Sequence, residues 1–161
     1  MTDFASIDEH QTVTLVRDLP GPIERIWAFL TEPKHLALWL SGGHFSARVG
    51  GEVRLEMGAV GQVTIFEPPH LLEYTWNEPE KSRGAILDTL VRWELVPSGS
   101  HVRLTLTHTR LSASEAVMHA AGWHALVDAL STRLNGGEPP PIMERISRLH
   151  QDYSRRYGIV S

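Results

Sequence analysis

The segment from Ser112 to Asn135 constrains this chain more than any other, because it predicts one helix long enough to cross a small domain. Ser112 stands where it can cap the free amides of a first turn, and Glu115, three residues on, where it can reach back to the cap. Asn135-Gly136-Gly137 supplies the residue types that close a helix in the left-handed conformation. Between these ends Ala116, His119, Ala120, Trp123, Leu126, Val127, Leu130 and Leu134 recur at steps of three and four, which makes one broad apolar stripe. At 1.5 Å per residue the helix measures roughly 34 Å. Nearly everything before it reads as β-strand, so the stripe is predicted to lie on the sheet those strands form.

The chain of 161 residues is long enough for one domain with a sizeable core, and its 42% hydrophobic content is that of a folded protein. A net charge of -4 argues against a nucleic-acid partner, which needs a basic face. With no cysteine there is no disulfide, thiol nucleophile or zinc-thiolate site. The opening MTDFASIDEH is acidic and lacks an apolar segment, and no later run is long enough to insert in a membrane. These features predict a soluble, cytoplasmic protein.

Taken in order, residues 1–11 are polar and predicted to be flexible. A first strand is expected over Thr12 to Leu19, then a helix over Ile23 to Thr31 that Pro33 ends, then a helical turn over Lys34 to Leu40. Six more strands are expected at Phe45 to Val49, Glu52 to Met57, Gly61 to Phe66, Leu71 to Trp76, Ile86 to Val96 and His101 to Thr109. The links between them are short or rich in Gly and Pro, apart from a polar stretch over Asn77 to Gly84, so neighbours should pair antiparallel. Alternation places Val53, Leu55 and Met57 on one face and Glu52, Arg54 and Glu56 on the other. The expected fold is α+β: a curved seven-stranded antiparallel sheet wrapped around a long C-terminal helix, with space between them for a ligand. A Pro-rich spacer then leads to an extra C-terminal helix over about Pro141 to Tyr157, within an extension spanning 136–161. Its Arg145, Arg148, Arg155 and Arg156 form a basic face expected to be solvated. Its apolar face can cover the domain or pair with a second copy as a homodimer.

The segments IERIWAFLTEPKHLALWL, GGE, GQVTIFEPPHLLEYTW, VRWEL, VRLTLTHT and HAAGWHALVDAL, in this order between 12 and 135, resemble the Hsp90-ATPase-activator-like branch of the START/Bet v 1-like (SRPBCC) superfamily. The resemblance implies the helix-grip fold and an apolar cavity between sheet and long helix. It also implies three kinds of activity: binding of hydrophobic small molecules, cyclase or dehydratase chemistry, or a chaperone interaction. The eukaryotic co-chaperone of this branch carries a further N-terminal domain that this sequence does not show, so stimulation of Hsp90 is not the expectation here.

The candidate cavity residues are Trp39, His44, Leu55, Met57, Trp76, Val91, Trp93, Leu104, His108, His119, Trp123 and Leu126. Trp27 and Trp93 are expected to pack in the core, whereas Trp39 and Trp76 fall where a cavity mouth would be. His108 and His119 each sit on an apolar face. Histidines so placed are usually hydrogen-bonded core residues, and the alternative makes them polar handles of a dry cavity. His119 and His124 are five apart and point in different directions, no H-E-x-x-H occurs, and no metal or other cofactor is expected. No serine elbow, phosphate loop or inward carboxylate pair is apparent, so the residues favour binding over catalysis. The expected function is to bind a lipid, polyketide or flavonoid-like molecule. The alternatives are a cyclase or dehydratase using His108 or His119, and a chaperone-associated protein-binding module.

Overall fold

The computed structural model describes residues 3–79 and 84–158. The strands are β1 (Ser6–Ile7), β2 (Val13–Pro20), β3 (Gly43–Phe45), β4 (Glu52–Leu55), β5 (Val60–Glu67), β6 (Leu71–Glu78), β7 (Ile86–Ser98) and β8 (His101–Thr109), and the helices are α1 (Ile23–Thr31), α2 (Pro33–Trp39), α3 (Ala113–Leu134) and α4 (Ile142–Tyr157). The strands make one antiparallel sheet in the order β1-β2-β8-β7-β6-β5-β4-β3. The expected α+β helix-grip architecture is therefore present, with eight strands among the described residues where seven were predicted. Hairpins link β3 through β8, and α1 and α2 bridge β2 to the far edge at β3. Gly61 lets β5 run close to β6, since a Cβ there would stand 1.8 Å from the Thr75 carbonyl oxygen.

The ends of α3 are built as the sequence implies. Ser112 Oγ accepts the Glu115 main-chain N–H at 3.3 Å, and Glu115 Oε1 accepts the Ser112 N–H at 2.8 Å. At the other end Arg25 Nη1 donates to the Leu134 carbonyl at 2.8 Å, satisfying an acceptor the helix itself cannot.

In one respect α3 differs from the one-sided helix expected. Its sheet-facing stripe is buried, but so is the opposite side, where Val117, Ala121, His124 and Ala125 recur. The second face is covered by α4 and the N-terminal segment. In α4, Ile142, Ile146, Leu149, Tyr153 and Tyr157 form a stripe of period 3.6 that packs on the core, so its apolar face covers its own domain. Its basic face is only partly free, because Arg145 Nη2 donates to Asp128 Oδ2 of α3 at 2.5 Å.

The N-terminus also departs from expectation. Residues 1–11, predicted to be flexible, include Ala5 at 1% exposure and the extra strand β1. The anchors are distant in sequence: Ala5 N–H donates to Tyr153 Oη at 2.6 Å and Ile7 N–H to Tyr157 Oη at 3.0 Å. Smaller corrections concern β3 and β4. The third strand pairs through Gly43, His44 and Phe45, not over Phe45 to Val49. The fourth stops at Leu55, so Met57 sits in the following turn at 45% exposure instead of on the dry face. The polar link expected over Asn77 to Gly84 lies partly outside the described residues. No helix among those described is long and apolar enough to cross a membrane.

Candidate functional site

The inward faces of β6, β7 and β8 meet α3 around a cluster of aromatic rings. Alternation along β6 turns Leu72, Tyr74, Trp76 and Glu78 inward, and all four are buried. Across β7 a bulge sets the partners of this row. Trp76 pairs with Thr89 and Glu78 with Ile86, so β7 carries one extra residue here. Asp88 takes it up at φ 59°, its N–H donating to Asn77 Oδ1 at 2.7 Å. Thr89 and Ile86 consequently both face inward.

Ring contacts knit the cluster together. Trp123 of α3 stands edge-on to Trp76 at 5.1 Å between centroids and to Trp93 at 5.4 Å. His108 lies 4.8 Å from His119, and Trp39 reaches Trp93 at 5.8 Å. Such edge-to-face pairs add to the stabilisation from burial alone. Across the junction between sheet and α3 the described rings are in contact with one another. Shallow depressions lie elsewhere on the surface, one of about 190 Å³ between α3, Pro139, Pro140 and Ile142.

A hydrogen-bond chain of one sense runs through the cluster. Trp123 Nε1–H donates to His108 Nδ1 at 2.9 Å, so that nitrogen carries no hydrogen. The network thereby assigns the hydrogen of His108 to Nε2, which donates to Thr89 Oγ1 at 2.8 Å, and Thr89 donates to the Trp76 carbonyl at 2.6 Å. His108 is neutral in this arrangement. Burial first, then the neighbouring His119, holds its pKa well below the usual histidine value, while Glu78 opposes them. Tyr74 accepts the Trp93 indole N–H at 3.0 Å, and burial pushes its hydroxyl above the ordinary tyrosine range.

His119 makes a different pattern. Its Nδ1 lies 2.9 Å from the Glu115 carbonyl, an atom that only accepts, so Nδ1 carries a hydrogen. Its Nε2 lies 2.9 Å from Glu78 Oε2. Two lone pairs cannot face each other at that distance, so one proton lies between imidazole and carboxylate. The side chains are 10% and 3% exposed, which makes this a nearly buried, proton-sharing pair.

One polar atom in the cluster is left over. Trp76 is 2% exposed, and its indole N–H finds no hydrogen-bond partner among the described residues. Burying an unsatisfied donor costs about 1 to 3 kcal/mol.

Of the twelve cavity candidates, the structure brings Trp76, Val91, Trp93, His108, His119 and Trp123 together at this junction, with Leu104 and Leu126 buried in the same core. Trp39 and Trp76 are not rim residues. Both are buried, and Trp39 Nε1–H donates to the Phe29 carbonyl at 2.9 Å. Leu55 is buried in β4, while His44 and Met57 are exposed and lie apart from the cluster. Glu78 and Thr89 were missed. Both were legible in principle, since continuing the alternation of Leu72, Tyr74 and Trp76 by one step reaches Glu78, and continuing that of Leu95, Trp93 and Val91 by one step back reaches Thr89. Among the described residues no three His, Asp or Glu side chains are placed to hold a metal ion.

Residues 20–135 match the family described as Activator of Hsp90 ATPase homolog 1-like protein. No curated protein matches the chain. Among solved structures, the chain is similar to the protein encoded by gene BPP1335 of Bordetella parapertussis, at 31% identity over 97% of this chain and 91% of that one, with a TM-score of 0.76. It is also similar to CalU16 of Micromonospora echinospora, at 21% identity over 96% and 94% of the two chains, with a TM-score of 0.76. A third relative, PFC0360w, an HSP90 activator from Plasmodium falciparum, is 19% identical over 77% and 96%, with a TM-score of 0.68. The last two likenesses show the fold alone.

Proposed function

The chain belongs to the Activator of Hsp90 ATPase homolog 1-like family, a START/Bet v 1-like group, and from that premise we propose that it binds an apolar or aromatic small molecule between the sheet and α3. The observation that carries this reading is the cluster of Trp76, Trp93, Trp123 and His108 at the helix–sheet junction, with polar groups set into an otherwise apolar surface. Ligand sites have this composition: apolar and aromatic walls with a few placed polar atoms. The rings touch one another in the described state, and a guest enters between them by moving side chains. Leu126 and His119, each 9% exposed, are the least buried of the candidate residues gathered at this junction. Binding is then selection of a more open arrangement, and its strength comes mainly from apolar area, at roughly 25 cal/mol per Å².

The test is a panel of flavonoids, fatty acids and sterols, read by tryptophan fluorescence and by NMR shifts of residues in the cluster. Saturable shifts at Trp76, Trp93 and Trp123 are expected from at least one class. No response from any class overturns the reading.

The Glu78–His119 pair favours a second reading, acid–base catalysis on a bound enolisable ketone. It predicts a new product, found by mass spectrometry, whose formation is lost in Glu78→Gln while ligand binding persists.

A further inference from the structure

We propose that the ligand is a fused aromatic molecule bearing a hydrogen-bond-accepting oxygen, a ring ketone or a phenol, and that the Trp76 indole N–H selects it. This inference rests on the small-molecule reading above. Trp76 differs from the other tryptophans buried around it. Trp39 donates to the Phe29 carbonyl, Trp93 to the Tyr74 hydroxyl and Trp123 to His108 Nδ1, all within 3.0 Å. The Trp76 N–H is as deeply buried as these and has no acceptor among the described residues.

An indole nitrogen only donates, so its complement has to be an acceptor, and neither a hydrocarbon nor a cation can fill that role. Groups beside it are already committed: both His108 nitrogens are bonded, and Thr89 donates to the carbonyl of Trp76 itself. Rings fix the shape of the guest. Trp123 stands edge-on at 5.1 Å and Tyr74 lies nearly parallel at 6.4 Å, surroundings that suit a flat aromatic body. Two residues further along the same strand face, roughly 7 Å away, Glu78 shares its proton with His119. The polar groups nearest Trp76 on that side are thus a carboxylate and an imidazole bonded to each other, and the Tyr74 hydroxyl on the other side is taken by Trp93.

Fluorene and 9-fluorenone, which differ by one carbonyl oxygen on the same flat frame, make the test. Each is titrated into the full chain and into Trp76→Phe, with binding followed by NMR. Wild type is expected to bind 9-fluorenone about tenfold more tightly than fluorene, the worth of one hydrogen bond. Trp76→Phe is expected to bind both compounds alike. In wild type the Trp76 indole N–H resonance should move downfield with 9-fluorenone and not with fluorene, a readout that holds even if the variant folds poorly. Equal affinities in wild type, a preference that survives in Trp76→Phe, or an indole resonance indifferent to the ketone overturns the inference and leaves the small-molecule reading standing. Binding of neither compound overturns the inference as well, while the small-molecule reading then stands or falls on the panel of flavonoids, fatty acids and sterols.

Discussion

The hydroxyl oxygen of Tyr153 lies 2.6 Å from the main-chain nitrogen of Ala5, so a residue near the end of the chain holds one near its beginning. The same hydroxyl lies 2.8 Å from His124 Nδ1 on the outer face of α3. One oxygen therefore joins the N-terminal segment, the long helix and α4. Burial pushes its pKa up to about 12, so it remains protonated and able to donate across the neutral range. Tyr153→Phe keeps the ring but leaves two buried polar groups without a partner. It is expected to destabilise the protein by about 1 to 3 kcal/mol, seen as a lower urea midpoint at unchanged slope. Tyr157→Phe, whose hydrogen bonds are only part-buried, should cost less.

A pH dependence follows from the two most deeply buried histidines. Burial, foremost, lowers the His124 pKa to about 4, with Arg17 and Arg145 adding to the effect while Asp128 and Asp3 oppose it. The Nε2 of His124 stands 3.5 Å from Asp128 Oδ2 without forming a hydrogen bond, so the carboxylate offsets burial only in part. His108 is held below its ordinary value by the same leading cause. In the unfolded chain both titrate near pH 6.5, so on acidification the unfolded state takes up protons first. The His124 contribution to stability is complete above about pH 6.5 and is lost as the pH falls toward 4, and that of His108 declines in the same direction on acidification. The melting temperature should decline through that window, and His124→Gln should decline less steeply from its own value at pH 7.5. A melting temperature at pH 4.5 equal to that at pH 7.5 would contradict this account.

Glu78 and His119 depend on each other. Removing the carboxylate by Glu78→Ala leaves Nε2 of a nearly buried imidazole unanswered, an imbalance that costs roughly 3 to 5 kcal/mol in comparable buried pairs. Chemical denaturation measures it directly. A loss under 1 kcal/mol would mean that solvent reaches the pair.

At the start of α3, Ser112→Ala removes the acceptor for the Glu115 amide and should cost about 1 kcal/mol, because both halves of the capping box are formed. Hydrogen exchange in the first turn should quicken while the helix centre is unchanged.

The features that were readable from the sequence are those set by local chemistry. The cap at Ser112 and the stop at Asn135 bracket α3 because the end groups of a helix need partners that these residues supply. The eighth strand was legible throughout because Val102, Leu104, Leu106 and His108 alternate without interruption. Alternation misled at β4, where Met57 keeps the period but the chain has already turned at Glu56. It was dropped too early at β6, where a charged residue, Glu78, continues the buried row. What stayed hidden was made by contacts remote in sequence. Nothing around Ala5 or Ile7 reveals that tyrosines of α4 hold them, so β1 could not be foreseen. The second buried face of α3 was written in Val117, Ala121 and Ala125, since a helix apolar on two sides has to be covered on both.

The most direct measurement is a two-dimensional NMR spectrum of the five tryptophan indole groups, recorded while flavonoids, fatty acids and sterols are added in turn. The account predicts that a binding compound shifts Trp76, Trp93 and Trp123 together and leaves Trp27, which packs beside Phe66, in place. If all five resonances stay fixed for every compound, the helix–sheet junction receives no small molecule.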